Sequence, residues 1–201
     1  TEWELGHGEW EELIRRRYVF PLQFGIGLLD IYASLSNMLS FGDLESEDSH
    51  GLWAGRELDE TGYAEYVDEE GRYRFLKGRN VDRYGFAEDP TDYVAADGPD
   101  IPSSADHYRI AWRDVSRPTQ KRSMKATIVP PGTVTGNSLH VAYFRDDDLS
   151  KLRALLAVLN SLVFEAQVRS HLATAHVSLG AVRKTHVPAW EPSLIGKLSD
   201  A

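Results

Sequence analysis

A chain of 201 residues with 42% hydrophobic and 26% charged side chains has the balance of one ordinary globular domain or two small ones, which excludes collagen-like, coiled-coil and disordered chains. Zero cysteines remove disulfides, thiol nucleophiles and thiolate metal sites. The formal charge of −9 is unevenly spread: residues 1–100 hold 9 basic and 23 acidic side chains (−14), and residues 101–201 hold 13 and 8 (+5), so the halves face different partners or each other.

An acidic total argues against non-specific nucleic-acid affinity, because phosphate binding depends on Lys and Arg displacing counterions. It leaves room for a local basic groove. No window approaches the eighteen or so apolar residues of a membrane helix, and the acidic, tryptophan-bearing stretch after Thr1 is unlike a signal peptide. A soluble, cytoplasmic chain without membrane contact is expected.

In chain order, Glu9 to Arg17 reads as a helical turn or two with Leu13, Ile14 and Tyr18 on one side, interrupted by Pro21. From Leu22 to Leu39 the apolar residues suit a buried helix or a strand and helix, and Gly25 and Gly27 weigh against one unbroken helix. Residues 1–45 thus form a helical or connecting segment. After an acidic loop, Asp43 to His50, short strands are expected at Trp53 to Glu60 and Tyr73 to Leu76, flanking the acidic turn Asp68 to Gly71. Pro90 to Ser104, rich in proline and aspartate, reads as an exposed connection between the acidic part, ending near residue 100, and the basic part, starting near 105.

Beyond it, Tyr108, Ile110 and Trp112 alternate with His107, Arg109 and Ala111, and Ala126 to Val129 is a β-branched run ending at Pro130-Pro131. These predict two strands joined by a long polar loop. Gly132, Gly136 and Asn137 supply turn chemistry before another strand, Leu139 to Phe144. Leu149, Leu152, Leu156, Leu159, Val163 and Ala166 recur at steps of three and four, predicting one helix of about five turns. Asp146 to Asp148 sit at its positive end, and Arg169 and His171 toward its other end. Ala181 to Val187 reads as a strand or turn, and 191–201 as a tail. The expected fold class is α+β, with small mixed or antiparallel sheets packed on a long C-terminal helix.

Catalytic signatures are missing. Asp89-Pro90-Thr91-Asp92 lacks the second proline and the aromatic of an adenine-methyltransferase loop, and Phe24-Gly25-Ile26-Gly27 has the wrong spacing for a Phe-x-Gly-x-Gly cofactor turn. There is no Gly-x-x-x-x-Gly-Lys-Ser/Thr loop, and no Asp/Glu-x-Lys lies near Pro99-Asp100 to build a nuclease site. His171, His176 and His186 carry the rival reading, a self-contained hydrolase, yet spacings of five and ten residues match no compact metal motif. No catalytic or metal site is expected.

Cations are more informative. Arg113 to Lys125 packs five of them, with four hydroxyl or amide side chains, into thirteen residues. Such an inventory suits phosphate and base-edge contacts. A solvated hairpin with Arg113 paired to Asp114 would present the same residues. Arg72 to Arg83 repeats the pattern with interleaved aromatics, or is a plain exposed strand and turn.

Several blocks carry a family resemblance: Gly55-Arg56-Glu57-Leu58-Asp59-Glu60-Thr61, Leu76-Lys77-Gly78-Arg79-Asn80-Val81-Asp82-Arg83-Tyr84, and Tyr108-Arg109-Ile110-Ala111-Trp112-Arg113-Asp114-Val115-Ser116. Ile128 to Leu139 and Leu159 to Phe164 continue it. Together they resemble the C-terminal specificity region of type II restriction-modification adenine-N6 DNA methyltransferases, closest to the TaqI-like specificity domain, over about residues 50–190.

The resemblance implies a target-recognition domain at 46–190 that grips double-stranded DNA beside its own upstream methyltransferase domain. That domain would bind S-adenosylmethionine, and no cofactor belongs to this fragment. The resemblance also implies that the target adenine is rotated into the upstream domain. Arg113, Arg117, Lys121, Arg122 and Lys125 are then expected on phosphates or guanine edges, with Lys77, Arg79 and Arg83 on a second wall. Thr135, Asn137 and Ser138 hydrogen-bond bases or satisfy their turn. Thr174, His176 and Arg183 follow the long helix as further candidates. A third class is an interaction module docking through the acidic half.

Overall fold

Alternating apolar residues on four segments build the central sheet. The computed structural model describes residues 35, 38–46, 50–95, 100–116, 120–172 and 174–200; the helix expected at Glu9 to Arg17 and the apolar stretch at 22–34 lie outside them. Strand β1 is Leu52–Gly55, β2 Val67–Asp68, β3 Tyr73–Leu76, β4 Val81–Asp82, β5 Gly85–Phe86, β6 Tyr93–Val94, β7 Arg109–Arg113, β8 Ala126–Val129, β9 Thr133–Thr135 and β10 Leu139–Phe144. The central sheet has the order β1-β10-β7-β8, all antiparallel, with Ile110 opposite Ala142 and Ile128, and Trp112 opposite His140 and Ala126.

Side chains on a strand alternate between faces. Ile110, Trp112, Ala142, Phe144, Leu52 and Ala54 face the main core, which the helices close. Ala111, Val129, Leu139 and Val141 face the other way, onto Leu76 and Val81. Both faces are covered, so β7 and β10 are buried almost throughout. The second sheet has the order β2-β6-β3-β9, with β3 and β9 parallel, over an apolar cluster of Leu58, Phe75, Val94, Ala105 and Val134. Strands β4 and β5 form a hairpin. The chain is therefore α+β, with small antiparallel and mixed sheets.

Helix α1 spans Leu149–Leu159, α2 Leu162–His171, α3 Leu179–Arg183 and α4 Pro192–Ser199. Asp148 caps α1 by accepting from Ser150 N at 2.8 Å and Lys151 N at 3.2 Å. The expected five-turn helix is two helices. Ser161 caps a new start by accepting from Phe164 N at 3.1 Å, and Asn160 turns its amide onto β8, pairing with Ala126 O at 2.9 Å and Ala126 N at 3.2 Å.

Three further expectations differ from the fold. Where a strand or turn was expected at 181–187, the short helix α3 takes up residues 181–183, because Ser178 caps it. The presumed tail contains α4, started by Pro192 and packed on α1 with Ile195 and the preceding Trp190 in the main core. Inside the presumed exposed connection, β6 pairs with both β2 and β3, and Val94 is fully buried. Among the described residues, no helix is long and apolar enough to cross a membrane.

Candidate nucleic-acid interface

Ion pairs join the acidic and basic halves. Glu57 and Arg109, both completely buried, meet at 2.7 Å. Arg183 forks onto Glu45 at 2.6 and 2.7 Å, and Lys125 meets Asp82 at 3.2 Å. Asn137 donates to Asp59 at 3.0 Å, while Ser138 donates its N–H to Glu60 at 3.1 Å and its hydroxyl to the same oxygen.

One cleft retains cations around an opening. It has a volume of about 430 Å3 and is lined by Glu60, Lys77, Gly78, Arg79, Arg113, Val115, Gln120 and Ser138. Lys77 leads into the 3-10 turn Gly78–Asn80, held because Lys77 N donates to Asn80 Oδ1 at 2.9 Å. Gly78 N donates to Ser138 Oγ at 2.8 Å. A Cβ at Gly78 would lie 3.3 Å from Ser138 O, so glycine permits that approach. Arg113 leaves the end of β7 and donates to Val81 O and, at 3.4 Å, Arg79 O. It does not pair with Asp114, although β7 and β8 do form an antiparallel hairpin.

Asp92 lies between Lys77 and Arg79, at 2.9 and 2.8 Å. The hydrogen bond from Lys77, followed by the charges of Lys77 and Arg79, outweighs burial and holds its carboxyl below the ordinary range. Two cations converging on one anionic oxygen is also the arrangement that a phosphate oxygen takes. Arg79 is well exposed, and exposed ion pairs are worth only about 0–1 kcal/mol. The Lys77–Asp92 pair is the more buried of the two, with side chains 24% and 20% exposed.

Other predicted residues fall along the rim or elsewhere. Arg83 sits at the β4–β5 tip, with one nitrogen 3.4 Å from Asn160 O. Arg122 donates to Asn160 O and, at 3.1 Å, Ser161 O, anchoring the break between α1 and α2. Lys121 is exposed and follows the cleft residue Gln120. Arg117 lies outside the described residues. Thr135 is fully buried and bonded through N and Oγ1 to Glu57 at 2.7 and 2.9 Å, which removes it from any surface. Thr174 accepts from His176 N at 3.2 Å, and Arg183 also reaches Ala54 O at 3.4 Å.

His176 belongs to a second polar cluster. Asp114 meets His140 and His176 at 3.1 Å each and Arg56 at 3.2 Å. Burial pushes the Asp114 carboxyl up, but hydrogen bonds from His176 and His140 outweigh it and leave it below the ordinary value. Burial lowers His140. His186 is bonded to Gln167 at 3.2 Å, and burial, then the charges of Lys184 and His186, push His171 to about 4. Among the described residues, no group of three His, Asp or Glu side chains is placed to hold a metal ion.

Glu60 and Asp92 were not among the expected site residues, while Gln120 was expected only as the amide of the run from Arg113 to Lys125. Glu60 carried a signal, since it lies in the first resemblance block. Asp92 carried none, because only folding brings it between Lys77 and Arg79. No protein-family model matches the sequence, and no curated protein matches it.

Proposed function

We propose that this chain is the target-recognition part of a restriction-modification adenine-N6 DNA methyltransferase, gripping double-stranded DNA in the cytoplasm for an upstream S-adenosylmethionine-dependent domain. The observation that carries this reading is the convergence of Lys77, Arg79 and Arg113 on one open cleft beside Glu60, Gln120 and Ser138. Cations set register on phosphates, and Glu, Gln and Ser are groups that read base edges: Glu accepts from cytosine N4, and Gln pairs with adenine. The central sheet, backed by α1 and α2, is the rigid platform of the recognition surface. The chain supplies grip and register, and the transfer of the methyl group belongs to its neighbour.

The test is fluorescence anisotropy of a mixed-sequence duplex across a salt series, comparing the parent with Lys77→Ala/Arg79→Ala. Losing two phosphate contacts should flatten the slope of log K against log salt by about 1.8. Lys197→Ala, on α4 in the helical layer across the sheet, should leave the slope unchanged. An unaltered slope in the double variant removes this cleft from the interface.

A further inference from the structure

We infer that the tip of the β4–β5 hairpin, Arg83-Tyr84, is a stacking wedge that presses against an unpaired or displaced base of the duplex held in the neighbouring cleft. The inference rests on the DNA reading above. Tyr84 is 59% exposed and holds φ at +59°. For a bulky side chain that region is a steric outlier, and hairpin turns that need it normally place Asn, Asp or Gly there. Here Gly85 follows within β5 while Tyr84 takes the strained position. Packing does not account for the choice, since the ring belongs to none of the three apolar clusters. Strain of this kind persists where the surroundings over-determine it, and it concentrates at binding sites.

The surroundings do over-determine it. Tyr84 N donates to Ala126 O at 2.9 Å, and Asp82 pairs with Gly85 across the hairpin. The Arg83 guanidinium lies over the Tyr84 ring, 5.3 Å from its centroid, while reaching the carbonyl of Asn160. A cation anchored to the helix break therefore backs the aromatic ring, giving a pre-formed surface that loses little freedom on binding. Every base offers a π-face, so such a surface stacks on an unstacked base whatever its identity. Side chains inserted at a base step work the same way.

Position favours nucleic acid over a protein partner. The tip is flanked by Arg83 and by Lys125 on Asp82, and the same strand leads back to Arg79 in the cleft. The five residue steps from Arg79 to Tyr84 span at most about 17 Å, which is about five base-pair steps of the same duplex.

The experiment uses the full chain and two mixed-sequence DNA duplexes, identical except that one carries a central mismatch, which lowers the cost of unstacking. The parent should prefer the mismatched duplex. Tyr84→Ala should weaken binding to it by about fivefold to a hundredfold and erase the preference, and Tyr84→Trp should keep it. Tyr84→Gly should raise the thermal unfolding midpoint while also erasing the preference, since it relieves the backbone and removes the ring. A preference unchanged in Tyr84→Ala, or a lowered midpoint in Tyr84→Gly, overturns the wedge. Duplex binding without any mismatch preference in the parent overturns the wedge alone. Absence of duplex binding altogether overturns the DNA reading with it.

Discussion

Replacing Glu57 with glutamine should be among the most destabilising conservative changes in this chain. Its carboxylate accepts from Arg109 Nε at 2.7 Å and a second guanidinium nitrogen at 3.2 Å, from Ser104 Oγ at 2.6 Å, and from Thr135 N and Oγ1 at 2.7 and 2.9 Å. The rest of the guanidinium is spent on the carbonyls of His107, Pro130 and Thr133. Glu57→Gln keeps the shape but leaves a buried cation uncompensated and turns an amide N–H toward donors. Removing one member of a buried pair costs about 3–5 kcal/mol, which for a domain of this size is a midpoint lowered by about 6–20 °C. Thermal unfolding followed by far-ultraviolet circular dichroism reads this directly. The double variant Glu57→Leu/Arg109→Met should recover only part of the loss: it leaves no charge behind, but it orphans Thr135 N, two hydroxyls and three carbonyls that the pair now satisfies. A Glu57→Gln chain that melts with the parent would show that water reaches the pair, and the reasoning about both halves would fall with it.

Asp92→Asn should tighten duplex binding by at least about fivefold, since about 1 kcal/mol is the bulk-water lower bound for the Coulomb attraction removed from a largely buried carboxylate; looser binding by anisotropy would mean that Asp92 shapes the cleft instead of competing for it. Burial pushes the Glu165 carboxyl up, but hydrogen bonds from Ser123 N, Met124 N and Arg169 hold it below the ordinary 4.5. It therefore stabilises the fold above that value and progressively less as pH falls through the depressed one. Urea titrations should show Glu165→Gln less stable by about 1.5–3 kcal/mol at neutral pH, with the gap closing in acid. His171 has the opposite charge and the same direction of shift: the unfolded chain takes up a proton below 6.5 that the folded ring accepts only near about 4, so stability falls as pH drops across that window. His171→Gln should flatten that part of the stability profile, and an unchanged profile would assign it to other groups.

Much of the central sheet was legible because β7, β8 and β10 are long enough to show alternation or a β-branched run. Strands β2, β4, β5 and β6 hold two residues each, too few for any period to appear, and β6 hides among prolines and aspartates that signal a loop. The helix break was masked by coincidence. Val163 continues the spacing of Leu152, Leu156 and Leu159, but α2 restarts from Ser161 and turns Phe164 and Val168 inward, leaving Val163 51% exposed. Helix α4 did carry a signal, in Pro192 at its first turn. Of the site, the cations Lys77, Arg79 and Arg113 were visible as residue types. Their gathering was not, since it depends on Arg113 crossing to the carbonyls of Arg79 and Val81. The charge asymmetry was plain in the sequence, but the buried joining of Glu57 to Arg109 needed the fold.

Amide chemical-shift mapping of the full chain during titration with a mixed-sequence DNA duplex would locate the gripping surface residue by residue. Perturbations are expected at 77–86, 113–116, 120–126 and 136–138 and should shrink as salt rises. Perturbations confined to α3 and α4, or none at low salt, would contradict the DNA reading.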